Sequence, residues 1–180
     1  IGFVDTGIDY TNPVFRKLDG STRIVGIWDQ TIQDGFVPDG FAYGSEYTEE
    51  MLNQALQSED PKVIVPTEDT ITHGTFVASL ACGSGNAENR FLGAAPESTI
   101  AMVKLKPAKR YLRDFYAIAG EAVCYQENDI MLGIRYLRNL AQRYQMPLVI
   151  CLAVGTSFGG HNGNNSLDFI LQIYANSSNQ

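Results

Sequence analysis

Asp5-Thr6-Gly7-Ile8-Asp9, near the start of the chain, and His73-Gly74-Thr75-Phe76-Val77-Ala78, further along, decide the fold class. The apolar run Ile1–Val4 predicts a buried strand that carries Asp5 to its end. His73 opens a second apolar run, which predicts a buried helix over residues 73–82. A carboxylate at a strand end can hold an imidazole in one tautomer and stabilise its cation. The two motifs therefore predict two members of an Asp-His-Ser arrangement.

Composition narrows the class of protein. The chain has 180 residues, of which 44% are hydrophobic and 18% are charged, values typical of a globular domain with a full core. The net charge of −7 argues against nucleic acid or an anionic membrane as a partner, because both attract positive surfaces. No apolar run in the sequence approaches the length of a membrane span.

Apolar, β-branched runs alternate with helical periods, and this alternation is typical of an α/β fold with a parallel sheet between helices. The predicted buried strands are Ile1–Val4, Arg23–Trp28, Thr99–Leu105 and Pro147–Val154. After the helix at His73, further helices are predicted over Asp129–Tyr144, with Asn128 as its N-cap, and over Asn164–Tyr174.

Two stretches break this alternation. Residues 29–72 are rich in Gly, Asp, Pro and aromatic residues and predict one short helix, capped by Thr48. Residues 106–127 mix tyrosine and phenylalanine with charged side chains. Long irregular segments in a compact domain are usually functional loops or lids.

Cysteine and histidine usage argues against a disulfide framework and a structural zinc site. Cys82, Cys124 and Cys151 lie in apolar stretches without CxxC spacing, which favours free buried thiols in a reducing compartment. We therefore expect a cytoplasmic or spore-associated protein, although secretion stays open. The sequence starts inside a predicted strand and ends in a polar run, so we expect a fragment of a longer protein.

The motifs resemble those of one family, the subtilases or subtilisin-like serine proteases. The resemblance rests on Asp5–Asp9, on His73–Ala78, on Gly93-Ala94-Ala95-Pro96 and on the strand Ile150–Gly155, in that order. It implies a subtilisin-like three-layer arrangement, truncated in its C-terminal part, with residues 1–180 as one partial peptidase domain. Residues 29–72 then become an insertion near the cleft, and residues 106–127 an irregular insertion. The wider sequence looks most like subtilases of anaerobic spore formers, the group that contains spore-germination proteases.

The resemblance also implies an activity, serine endopeptidase, with Asp5 and His73 as catalytic residues. Ala153, Val154 and Gly155 would lie along the backbone of a peptide or protein substrate. No cofactor is required, and the remainder of the peptidase domain would be the other partner. Subtilases often bind calcium, so Asp9, Asp29 and the loop at residues 83–90 are weak candidate ligands, but we expect no metal site.

Gly155-Thr156-Ser157 resembles a nucleophile motif only superficially. Ser157 is followed by Phe158 and then by Gly159-Gly160, and two glycines disfavour the helix that the nucleophile of this family opens. We therefore place the catalytic serine beyond Gln180 and expect this chain alone to be inactive. A non-catalytic pseudoprotease or binding module is the alternative, and a second chain that supplies the serine is a further one.

Overall fold

A five-stranded sheet forms the centre of the protein. The computed structural model describes residues 1–85, 90–156 and 159–177. The strands are β1 (Gly2–Asp5), β2 (Ile24–Asp29), β3 (Ser45–Thr48), β4 (Ile100–Lys104) and β5 (Ile150–Cys151). Their order is β3-β2-β4-β1-β5, and all pairs are parallel except β2 with β3. This mostly parallel sheet confirms the predicted α/β class.

Helices cover both faces of the sheet. They are α1 (Glu49–Gln57), α2 (Pro61–Ile64), α3 (His73–Cys82), α4 (Arg110–Phe115), α5 (Glu127–Tyr144) and α6 (Ser166–Ser177), with a 3-10 helix at Pro13–Phe15. Side chains of a strand alternate between faces, so Phe3 packs in the core with α1 and α3, and Val4 packs in the core with α5. The three layers match the predicted subtilisin-like arrangement.

The helix predictions hold for the existence of each helix and less well for where it starts. Helix α3 occupies the predicted residues, and α5 starts two residues earlier than predicted. Asn128 therefore lies inside α5, and the N-cap prediction is wrong: Gln126 occupies that position and makes no side-chain cap hydrogen bond. Helix α6 begins at Ser166 rather than Asn164.

The last predicted strand is shorter than expected. Pro147–Val154 was the predicted range, but only Ile150 and Cys151 pair, with Gly2 and Phe3 of β1. Among the described residues β5 is an edge strand, and both of its residues are half-buried. An edge position explains the difference, because one neighbour supplies half of the pairing and burial that a central strand receives.

Residues 29–72 hold more regular structure than the single predicted helix. Strand β3 and helices α1 and α2 all lie there, so the prediction of one short helix is wrong. Thr48 does cap α1, since its hydroxyl accepts from the backbone N–H of Met51 at 3.4 Å. Residues 106–127 contain the short helix α4. Over the part of the chain that the structure describes, none of the helices combines the length and the hydrophobicity that crossing a bilayer needs.

Candidate active site

The fold brings Asp5 and His73 into direct contact at the carboxyl edge of the sheet. Asp5 is the last residue of β1, and His73 is the first residue of α3. The Nδ1 atom of His73 lies 2.7 Å from Oδ1 of Asp5, although the residues are 68 positions apart in the chain. The same carboxylate oxygen accepts from the backbone N–H of Thr6 at 2.7 Å. The predicted pair therefore exists as a hydrogen-bonded unit.

The two partners have opposite solvent exposure. The side chain of Asp5 is 2% exposed, whereas that of His73 is 45% exposed. A proton on Nδ1 donates to the buried carboxylate, so the neutral ring keeps Nε2 as an acceptor nitrogen. Oδ2 of Asp5 is buried and has no hydrogen-bond partner in the described part of the chain. The arrangement suits a ring that takes up a proton from outside while a buried charge stabilises it.

Gly74 allows the two motifs to pack this closely. A Cβ at position 74 would lie 2.2 Å from the carbonyl oxygen of Gly7 and 3.2 Å from Cβ of Asp5. A contact of that length with backbone cannot be relieved by a side-chain rotation. The glycine after the histidine is thus required by the approach of helix α3 to the turn after β1.

The Gly93-Ala94-Ala95 segment holds the other end of α3. The N–H of Ala94 donates to the carbonyl of Leu80 at 3.0 Å, and the N–H of Ala95 donates to the carbonyl of Ala81 at 2.7 Å. Carbonyls in the last turn of a helix lack intrahelical partners, so this segment satisfies two of them. The guanidinium of Arg23 also donates to the carbonyl of Cys82.

Ala153, Val154 and Gly155 follow directly after β5, at the same edge of the sheet as Asp5. Continuing the observed register of Phe3 with Cys151 by two residues brings position 153 level with Asp5. Regular pairing stops before that point, and Ala153 and Gly155 are exposed. Ser157 lies outside the described residues.

Comparison with known proteins identifies the family. A sequence model of the subtilase family matches residues 1–176. The chain belongs to the subtilase family. A solved structure of the CspB protease of Clostridium perfringens is similar to it, with 34% sequence identity and a TM-score of 0.78 over 96% of this chain. The chain spans 32% of that solved protease. No curated protein matches the chain.

Membership agrees with the predicted fold and with the serine-protease class. The subtilisin-like layers carry Asp5 and His73 on the elements that the family resemblance implied. The catalytic role of these two residues in this subtilase, and that of Ala153–Gly155 in substrate binding, remain predictions. So do the two predicted insertions.

Asp29 of this subtilase is not available as a calcium ligand. Its side chain is fully buried and lies 3.2 Å from Nζ of Lys104. The hydroxyls of Thr31 and Thr67 both donate to it at 2.5 Å. No cluster of three or more His, Cys, Asp or Glu that could hold a metal occurs within residues 1–85, 90–156 and 159–177. Asp9, also a candidate ligand, accepts from the N–H and the hydroxyl of Thr11 at 3.0 Å and 2.6 Å. Positions 86–89 of the candidate loop lie outside the described residues.

Asp69 was missed by the sequence analysis. Its Oδ1 accepts from the hydroxyl of Thr6 at 2.7 Å and from the N–H of Thr72 at 2.9 Å. Its Oδ2 accepts from the N–H of Thr75 at 2.8 Å and from the hydroxyl of Thr75 at 2.6 Å. Burial raises the pKa of Asp69, but the hydrogen bonds from the three threonines outweigh burial and lower it overall. The signal in the sequence was an aspartate shortly before a predicted helix start.

Tyr125 is a second residue that the sequence analysis did not single out. Its hydroxyl is buried and has no hydrogen-bond partner in the part of the chain that is described. Burial, together with the charges of Asp5 and Asp69, raises the pKa of Tyr125 to about 12. Tyr125 pairs with Pro107, which follows shortly after β4. This pairing places Tyr125 at the carboxyl edge of the sheet, where Asp5 also lies.

Proposed function

We propose that this subtilase chain supplies the general base and the orienting carboxylate of a serine endopeptidase. The observation that carries the proposal is the contact between His73 Nδ1 and Asp5 Oδ1 at 2.7 Å. The difference in solvent exposure supports the same roles, because the Asp5 carboxylate is buried and the His73 ring is half exposed. The similarity to the Clostridium perfringens CspB protease supports the reaction class.

In the proposed reaction, Nε2 of His73 accepts the proton of a serine hydroxyl while the serine oxygen attacks the scissile carbonyl carbon. The imidazolium that forms is stabilised by Asp5. His73 then donates the proton to the leaving amine, and an acyl-enzyme remains. Water, deprotonated by the same nitrogen, hydrolyses the acyl-enzyme and restores the serine. Neither half of the reaction requires a cofactor or a metal ion.

The serine lies beyond Gln180 in this proposal. Gly159 has φ 98° and His161 has φ 45°, so the backbone just after position 157 is left-handed at two places. A nucleophile helix cannot start in such a backbone, which supports rejecting Ser157. The share of the CspB protease that the chain spans, 32%, supports a contribution from further residues. The remainder of the peptidase domain is thus the proposed partner of this chain.

The proposed substrate is a peptide or protein bound in extended form along Ala153, Val154 and Gly155. An extended substrate can add to an exposed edge of a sheet through its own backbone. The position of these residues beside the level of Asp5 supports this binding mode.

The likeness to CspB also supports the narrower placement among subtilases of anaerobic spore formers. A role in spore germination, and a cytoplasmic or spore-associated location, are part of the proposal. Fractionating spores and vegetative cells and detecting the protein in each fraction tests the location. Detection only in the culture medium would contradict it.

The catalytic proposal is tested in the full-length protein. The gene downstream of position 180 is expected to encode Gly-Thr-Ser followed by a small residue and Ala. A fluorophosphonate probe should label that serine, and His73→Ala should abolish both labelling and peptide cleavage. His161→Ala, in an exposed loop, is the matched control and should retain activity. A downstream sequence without the serine would favour the pseudoprotease alternative, and labelling of Ser157 would overturn its exclusion.

A further inference from the structure

Two threonine hydroxyls connect the aspartate motif to the histidine helix. The hydroxyl of Thr6 donates to Asp69 at 2.7 Å and accepts from the N–H of Gly74 at 2.8 Å. The hydroxyl of Thr75 donates to Asp69 at 2.6 Å and accepts from the N–H of Asp9 at 2.9 Å. Each hydroxyl therefore connects the motif at Asp5–Asp9 with the motif at His73–Ala78. Both hydroxyls also donate to the same carboxylate, that of Asp69.

The carboxylate fixes the direction of both hydroxyls. A hydroxyl has one proton, and a carboxylate is the strongest acceptor in its reach. Because Asp69 takes the protons of Thr6 and Thr75, the oxygen lone pairs of both hydroxyls are directed at backbone N–H groups. Removal of the carboxylate would free both hydroxyls to rotate, and the two connections between the motifs would lose their common anchor.

Asp69 also replaces the missing N-cap of α3. Thr72 holds the cap position with φ 67°, a left-handed conformation, and its side chain makes no cap hydrogen bond. The N–H of Thr75, in the first turn, is satisfied by Asp69 at 2.8 Å, and the N–H of Thr72 by the same side chain at 2.9 Å. A negative charge at this end of a helix is favourable as well. The first turn of α3, which includes His73, is thus held by Asp69.

We propose that Asp69 is a positioning residue that holds His73 in register with Asp5. The inference rests on the proposed function, because it assigns a role within the same Asp–His pair. Asp69 touches neither His73 nor a substrate in this role. It acts through Thr6, which adjoins Asp5, and through Thr72 and Thr75, which flank His73 and Gly74. Loss of this anchor changes the geometry of the pair before it changes the fold of the domain.

The test uses the full-length protein and three variants. Asp69→Ala removes all four acceptor contacts, whereas Asp69→Asn keeps one acceptor oxygen and the shape. Glu68→Gln is the matched control, since it removes the charge of the adjacent, exposed carboxylate. Peptide hydrolysis gives kcat and KM. Proton NMR of the low-field Nδ1–H of His73, assigned with His73→Gln, reports the hydrogen bond to Asp5 directly.

Asp69→Ala is expected to lower kcat about 100-fold while KM changes less than twofold, because small misplacements of catalytic groups cost that much in rate. The kcat of Asp69→Asn should lie between that of Asp69→Ala and that of the parent protein. The low-field proton signal should broaden or vanish in Asp69→Ala and persist in Glu68→Gln. Should Asp69→Ala fail to fold, Thr6→Val breaks one link at constant shape and is expected to lower kcat in the same direction.

A purely structural role gives a different result. In that case Asp69→Ala lowers the unfolding temperature but leaves kcat and the low-field signal of the folded protein unchanged, and the proposal is overturned. Failure of the proposed function is recognised separately. A parent protein without peptidase activity refutes the endopeptidase, while the NMR signal still decides whether Asp69 positions His73.

Discussion

The two sides of the proposed cleft differ in how completely this chain builds them. On the β1 and α3 side, Asp5 is buried and contacts His73, and Asp69 accepts hydrogen bonds from both surrounding motifs. On the β5 side, pairing ends at Cys151. Gly155 there is exposed, and a Cβ added to it would meet no atom of the described residues within 4 Å.

The difference suggests separate tasks for the two sides, proton transfer on the β1 and α3 side and substrate binding on the β5 side. The proton-handling pair needs angstrom precision, and this chain alone supplies the contacts that fix it. The proposed substrate side needs a backbone that stays open to an extended peptide. Substitutions on the first side should therefore affect rate and stability, and those on the second side should affect substrate affinity.

Asp5→Asn is the sharpest way to break the first side. The amide keeps the shape of the carboxylate but cannot stabilise an imidazolium, and it favours the wrong tautomer. We expect kcat of the full-length protein to fall about 10⁴-fold, as for the equivalent change in other Asp-His-Ser enzymes. Steady-state peptide hydrolysis measures the loss, and an unchanged unfolding temperature is the control. Wild-type kcat in this variant would remove Asp5 from the catalytic pair.

Gly74→Ala tests the close approach of the two motifs. The new Cβ would lie 2.2 Å from the carbonyl oxygen of Gly7, so backbone must move. We expect a loss of about 3 kcal/mol in the free energy of unfolding, typical of severe overpacking. Chemical denaturation measures it. A loss below about 0.5 kcal/mol would mean that the motifs do not need this contact.

Asp69→Asn tests whether the charge of Asp69 stabilises the β1 and α3 side, because that contribution depends on pH. The pKa of Asp69 is lowered in the folded state, so its contribution to stability is fully present above the ordinary value of about 3.9. That contribution is lost as pH falls through the lower, folded-state pKa. We expect Asp69→Asn to cost about 1 kcal/mol near pH 7, because a negative charge at a helix N-terminus and hydrogen bonds to a charged acceptor are lost, and to cost less at an acidic pH below the ordinary pKa.

Denaturation of parent and Asp69→Asn at both pH values measures the difference. A gap between the two proteins that stays constant with pH would show that the charge of Asp69 contributes nothing.

Gly155→Ala is the counterpart of Gly74→Ala on the open side. Here the same methyl group meets no atom within 4 Å in the part of the chain that the structure describes, so the free energy of unfolding should change by less than about 1 kcal/mol. If substrate runs along this segment, KM should rise about tenfold, since one methyl group in a binding site has effects of that order. Parallel denaturation and kinetics give both values. A destabilisation equal to that of Gly74→Ala would show that the β5 side is packed as tightly as the β1 and α3 side.

Local sequence signals predicted the central elements and the Asp–His pair. Apolar runs located β1, β2 and β4, because central strands are apolar nearly throughout, and they located the bounds of α3. The prediction that α3 is a buried helix is wrong, since only Gly74, Ala78 and Cys82 of it are buried and Phe76 and Leu80 are exposed. The likeness to subtilases supplied the order of Asp5 and His73, and the structure added their 2.7 Å contact.

The features that the sequence did not predict correctly share a physical cause, because each depends on partners that are distant in the chain. The extent of β5 is set by a neighbour that pairs with only two of its residues, and Ser45–Thr48 becomes a strand only because β2 lies beside it. Asp69 acts on Thr6, 63 positions away. A pattern within a short window contains no information on such partners.

Helix α3 is fastened at both ends by other parts of the chain. Asp69 and Thr6 hold its first turn, and Arg23 with residues 93–95 holds its last. Such a helix has no frayed end from which local opening can start, so its amide protons should exchange with solvent only when the whole domain unfolds. Heating would then leave the geometry of His73 intact until the domain melts, and the proposed peptidase activity of the full-length protein would be lost together with the fold in a single transition.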